Sequence, residues 1–173
     1  RKLDKSTILV YHDKNNRRVP TTVEDLNAGI ITQYAWDLWN TLYAEGNFSF
    51  ELSEKTALAI SAQYTDQRSV GDSLAGDFST HVFGTQAAMS YLENILSFAF
   101  TSTGENRGIR NPFGSYPGYL SLIVENFNRA GENAWLVGIS SCFKFLGLEN
   151  VSAFANYAQG NTPDSGFNTS PDQ

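Results

Sequence analysis

The chain is short of several things, and each shortage closes off a class of function. It has a single cysteine, Cys142, so no internal disulfide and no cysteine metal cluster can form. Its two histidines, His12 and His81, stand far apart and read as ordinary strand or loop residues. Charged residues make up 17% of the 173 residues, below the roughly 25% usual for soluble domains. Positive charge is not in surplus: the net charge of −6 argues against nucleic acid as a partner. No apolar run approaches the ~20 residues that a membrane helix needs. Gly-rich phosphate loops, His/Glu zinc pairs and Gly-x-Ser-x-Gly elbows are missing from the sequence, so neither an enzyme nor a cofactor or metal site is expected.

What is abundant is aromatic: eight Tyr, twelve Phe and three Trp. They sit in a pattern with a period of two. In Asn40–Leu52, Leu42, Ala44, Gly46, Phe48, Phe50 and Leu52 alternate with Thr41, Tyr43, Glu45, Asn47, Ser49 and Glu51. That alternation predicts a strand long enough to cross a bilayer at a tilt. After a turn at 53–55, Thr56–Arg68 sets Leu58, Ile60, Ala62 and Tyr64 against Ser61, Gln63, Thr65 and Gln67. Thr80–Tyr91 and Ile95–Thr103 follow, with a turn at 92–94 between them, and then Ala134–Lys144 and a weaker Val151–Gln159, in which Phe154 is out of phase. Ser6–His12 and Ala28–Trp36 read as strands with poor alternation, residues 13–27 as loop, and Asn161–Gln173 as a closing loop. The stretch Gly104–Asn133 reads as a long loop with a short strand at Tyr119–Val124. The count comes to about eight strands, with short turns at 53–55 and 92–94 alternating with long loops at 69–79 and 104–133, the habit of outer-membrane barrels.

A soluble β-sandwich would also alternate. Two features favour the membrane. The polar face is mostly Ser, Thr, Gln, Ala and Gly, which suits a confined watery lumen. The aromatics fall at strand ends: Phe48, Phe50, Tyr91 and Phe143 near the short turns, Tyr64, Phe83, Phe100, Trp135 and Tyr157 near the loops. Two interfacial belts would produce that distribution, and the proposed lipid face reads as free of charge. The alternative is a soluble or surface β-sandwich binding sugars or proteins through its aromatics. A closed eight-stranded barrel is disfavoured, because its narrow lumen must be filled by side chains and the polar face is too small for that.

Asn-Thr-Leu-Tyr-Ala-Glu (40–45), Ala-Gln-Tyr-Thr-Asp-Gln-Arg-Ser-Val-Gly-Asp (62–72) and Asn-Pro-Phe-Gly-Ser-Tyr-Pro-Gly-Tyr-Leu-Ser-Leu (111–122) resemble the OprD family of substrate-specific outer-membrane porins. So do Phe-Asn-Arg-Ala-Gly-Glu (127–132), Ala-Trp-Leu-Val-Gly (134–138) and Ser-Ala-Phe-Ala-Asn-Tyr-Ala-Gln-Gly (152–160), and the order is kept from about residue 28 to 166. The resemblance implies an all-β fold, an antiparallel transmembrane barrel of about 18 strands. Residues 1–173 would be part of that single domain, from its C-terminal half and incomplete at both ends. It also implies a bacterial outer-membrane channel for passive uptake of small carboxylates such as amino acids or small organic acids. Partners would be those solutes and outer-membrane lipid, with weak self-association as a further option. The resemblance also implies that Asn156 falls at an inward position where some members of the family carry Arg.

A porin has no catalytic residue, so the candidates are charges and aromatics that face the pore. Arg68 ends a strand at the long-loop side, and Arg107, Arg110 and Arg129 lie in or near the long loop. Arginine suits carboxylates because it can bind both oxygens. The competing reading pairs these arginines with Asp66, Asp72, Glu105 and Glu132 as loop ties. Glu125 and Asn126 fall where the family places pocket groups, and Tyr116 and Tyr119 either line the constriction or pack the loop. Glu45, Glu51, Gln63 and Gln86 are assigned to the lumen by their phase.

Overall fold

The computed structural model describes residues 7–12, 23–110, 118–120, 122, 125–148 and 151–163. Eight strands follow one another: β1 Thr7–His12, β2 Val23–Ala35, β3 Trp39–Ser53, β4 Thr56–Ser69, β5 Ser79–Tyr91, β6 Asn94–Thr103, β7 Asn133–Cys142 and β8 Ser152–Asn161. They form one antiparallel sheet in sequential order, β1 to β8, with no pairing between β1 and β8 among the described residues. A second sheet, which the sandwich alternative requires, is not among the described elements.

Register converts the sequence phase into two faces, because side chains alternate along each strand and cross-strand partners share a side. One row runs Ala28–Gly46–Ala62–Thr85–Phe100–Trp135–Gln159, and the next runs Ile30–Ala44–Tyr64–Phe83–Ser102–Asn133–Asn161. This face is exposed, with Phe48, Ile60, Tyr64, Phe83, Phe98 and Val137 all open. A soluble sheet would not leave so many large apolar groups in water; lipid is the solvent that suits them. The opposite face carries the row Gly29–Glu45–Gln63–Gly84–Thr101–Ala134–Gly160. Here the buried residues are largely polar: Gln63, Thr65, Gln67, Thr80, Thr101 and Thr103. They are covered because the connection between β6 and β7 folds back onto this face. Its Leu120 and Phe127 pack on Ala99, Ala134 and Leu136, with Tyr119, Leu122 and Ala158 beside them.

Several expectations need correction. Residues 23–27 belong to β2, not to a loop; they pair with β3 from Phe50 to Asn47 across a bulge at Val23/Asp25. Residues 13–22 and 164–173 lie outside the described residues. The strand expected to end at Lys144 stops at Cys142, and Phe143–Leu146 is a 3-10 turn closed by Gly147 at φ 75°. Phe143 therefore leaves the expected belt. Of the short strand expected over Tyr119–Val124, the described residues 119, 120 and 122 are not in a strand. A short connection, Trp36–Leu38, sits at the same end as the long loops, so loop length does not alternate throughout. It is made possible by Asp37 at φ 57°, a conformation its short polar side chain tolerates. Finally, the outward face is not free of charge: Asp66 and Arg68 share the phase of Tyr64 and lie on it, above the aromatic row.

Candidate functional site

The candidate surface of this sheet is the face beneath the folded-back loop, and its geometry follows from how the loop is tied. At the start of the loop, Thr80 Oγ1 donates to the Arg107 carbonyl. Gln67 then brackets Arg110: its Nε2 donates to the Arg110 carbonyl at 3.1 Å and its Oε1 accepts the Arg110 N–H at 2.9 Å. A buried glutamine that mates with a backbone amide on both edges stands in for a strand neighbour. That satisfies polar groups which would otherwise cost about 1–3 kcal/mol each. The loop returns through Gly131, whose N–H reaches the Gly104 carbonyl at 2.9 Å, while Thr103 donates to the Glu132 carbonyl at 2.9 Å.

Glu132 is the deepest tie. Its carboxylate is fully buried and accepts from Arg129 Nη2 at 2.7 Å and from the Arg129 N–H at 2.9 Å. A buried charge is tolerated only when paired and hydrogen-bonded, as here. Gly160 in β8 makes room for it: a Cβ there would overlap Glu132 Oε1 and lie 2.7 Å from Phe127 Cδ1.

The arginines expected to serve the pore separate accordingly. Arg129 is spent on Glu132. Arg110 donates through Nη1 to the Ala75 carbonyl at 2.9 Å, and its guanidinium lies 3.9 Å from the Phe78 ring centroid, with Trp39 at 6.0 Å. It links the long loop to the 70–78 loop; partial burial and the nearby Arg107 charge both push its pKa down. Arg68 holds Asp66 through Nε and Nη2, both at 2.7 Å, on the outward face and away from Gln63 and Gln67. Arg107 is exposed on the loop and makes no ion pair among the described residues.

The inward face also gathers the four residues assigned to it by phase. Glu45 and Gln63 are direct cross-strand partners. Tyr43 Oη bridges them, donating to Glu45 Oε2 at 2.7 Å and lying 3.3 Å from Gln63 Oε1. Gln86 and Glu51 continue this face toward the short turns, opposite Ser61 and Ala57. Tyr119 is half-buried; its Oη is buried without a hydrogen-bond partner among the described residues. Glu125 turns back on its own segment, accepting the N–H groups of Asn126 and Phe127 at 3.1 and 3.4 Å, and Asn126 is exposed. Tyr116 lies outside the described residues. Asn156 sits on this face beside Gly138, in a row with Ser97. Tyr43, Gln67, Thr80 and Gly160 were not singled out from sequence. The first three carry the inward phase, but nothing local marks them as partners of a loop dozens of residues away.

The geometry is that of a sheet with one apolar side and one polar side overlain by a loop. Comparison with curated protein sequences returns no match. Among solved structures the chain is similar to OprD from Pseudomonas aeruginosa, with a TM-score of 0.74 and 19% identity over 81% of this chain and 37% of that one. It is similar to OpdK from the same organism, solved with vanillate, with a TM-score of 0.72 and 19% identity over 78% and 36% of the two chains. It is also similar to OccK2 (OpdF) from P. aeruginosa, solved with glucuronate, at 0.76 and 16% over 87% and 39%. At such identities the likeness is one of fold, and the chain spans well under half the length of these relatives. The model of the outer membrane porin OprD family matches residues 21–170. The chain therefore belongs to the OprD family of outer-membrane porins, and its sheet is a stretch of transmembrane β-barrel wall in the bacterial outer membrane.

Proposed function

We propose that the full-length protein built around this segment is a passive channel for small solutes, with carboxylates favoured over neutral molecules of the same size. The observation that carries the reading is that the described residues of the β6–β7 connection, Arg107, Arg110, Leu120 and Phe127 among them, lie on a polar inward face: a loop held inside a barrel narrows a water-filled path without closing it. Among the described residues β1 and β8 are edge strands, which supports completion by further strands of the same domain, since unpaired backbone edges are untenable in lipid.

The carboxylate preference is supported by charge placement. Arg107 is exposed on the loop beside Arg110, whereas the strand wall carries Glu45 and Glu51. The exposed Arg107 at the long-loop end, with Glu45 deeper on the wall and Glu51 near the short turns, sets up a field along the path that draws a carboxylate to the mouth. OpdK and OccK2, similar in fold, were solved with vanillate and glucuronate, both carboxylates. The test is flux through the full-length protein in liposomes, comparing glucuronate with glucose. Glucuronate should enter faster, and Arg107→Ala should reduce its flux and flatten its dependence on salt. Equal flux for both solutes in the wild type would remove the carboxylate preference; absence of any conductance would remove the channel reading.

A further inference from the structure

We propose that the outward face of the barrel at the long-loop end binds the phosphorylated sugar headgroup of an outer-leaflet glycolipid, with Arg68 as the phosphate contact. Long loops mark the extracellular side of such barrels, and interfacial aromatics mark headgroup depth. On the outward face Tyr64, Phe83, Phe100 and Trp135 form that aromatic level. Immediately above it the surface changes character. The next rows hold Asp66 beside His81, and Asn40 and Arg68 beside Ser79, with Ser102 and Asn133 paired alongside. These side chains point toward lipid, not toward the pore, so solute selection gives no reason for them.

Two features give the band the form of a site. The first is Arg68. Asp66 fixes one edge of its guanidinium through Nε and Nη2, yet the side chain remains 59% exposed and the Nη1 edge has no partner among the described residues. A guanidinium oriented by a carboxylate behind it, with a free edge in front, is preorganised for a phosphate oxygen. The second is a cleft of about 450 Å³ where β5 outruns β6. Its outward lining is Ser79, His81, Ser102 and Asn133, with Glu105 at the start of the loop beside them. Hydroxyls, an imidazole and amides around a pocket of that size suit the ring of a sugar, and a bare phospholipid headgroup would leave most of them unused. Tyr64, stacked on His81 with ring centroids 6.2 Å apart, joins the cleft to the aromatic level below.

The experiment uses full-length protein in phosphatidylcholine nanodiscs doped with diphosphorylated lipid A, with bound lipid counted by native mass spectrometry. Arg68→Ala should weaken lipid A binding about fivefold, the worth of one basic side chain at a charged membrane surface. Arg68→Lys should keep part of it, and Lys55→Ala at the opposite rim should keep all of it. Single-channel conductance and the anion-to-cation permeability ratio of Arg68→Ala should match wild type, because the residue faces away from the lumen. Should Arg68→Ala not fold, His81→Ala with Asn133→Ala takes its place and should also weaken binding. Undiminished binding in these variants would overturn the proposal. So would equal competition by phosphatidylglycerol or by inorganic phosphate, or an altered permeability ratio in Arg68→Ala.

Discussion

Ile60 and Ser61 are neighbours in β4 that the register sends to opposite solvents, and placing the same charge at each measures the difference. Ile60 lies in the row of Phe48 and Ala87 on the outward face; Ser61 lies opposite Asn47 and Gln86 on the inward one. The strand has 14 residues. With a rise of about 3.4 Å per residue and a tilt near 45°, each step climbs about 2.4 Å. Ile60, four steps from Thr56, then sits roughly 10 Å above the turn and roughly 6 Å from mid-strand, well inside an apolar band about 25 Å tall. An arginine costs about 2–4 kcal/mol at the midplane and almost nothing at the interface, so about 2 kcal/mol is expected for Ile60→Arg. That is roughly a 30-fold loss in the folding equilibrium. Ser61→Arg meets water and should stay within about 0.5 kcal/mol in stability while reducing conductance. Urea titration of the full-length protein in vesicles reads the first quantity and bilayer recording the second. Equal unfolding midpoints for the two variants, or greater damage from Ser61→Arg, would refute the assignment of faces.

Removing Arg129 should strand a buried carboxylate and cost about 3–5 kcal/mol locally. Hydrogen exchange across 104–132 should then accelerate in Arg129→Ala, and conductance should rise, with Glu132→Gln added to Arg129→Ala recovering part of the protection. Gly160→Val forces a side chain into the space of Glu132 and Phe127 and should cost about 1–3 kcal/mol; protease cutting within the loop is the measurement, and unchanged resistance would contradict the packing. Gly71 sits at φ +60° with its Cβ position overlapping Asp37 Oδ1 and 3.1 Å from the Asp37 Cα. Gly71→Ala should therefore release the Trp36–Leu38 turn from the 70–78 loop at about 1–3 kcal/mol, seen as faster exchange of the Val70 and Leu74 amides that now donate to Leu38 and Asp37.

Most strands, and the face each side chain takes, follow from the alternation alone. A period of two leaves no freedom over which side Phe48 or Gln63 takes once a strand exists, since a slip of one residue would turn every apolar group inward. Arg68 too has the parity of Tyr64, so its phase points outward even though its charge points to the pore. The out-of-phase Phe154 likewise falls on the inward face, in a row with Ser140 and Ile95. Boundaries were less legible where tertiary pairing extended β2 into a charged stretch or ended β7 at a 3-10 turn. The fate of the long loop, by contrast, depends on contacts with distant strands. Its ties join residues 43 apart, Gln67 to Arg110, and set Glu132 against Gly160 of a different strand. No local periodicity encodes such contacts. They exist because a polar inward face offers amides and hydroxyls that must find partners, and because small residues at Ala134 and Gly160 leave the space in which the loop can supply them.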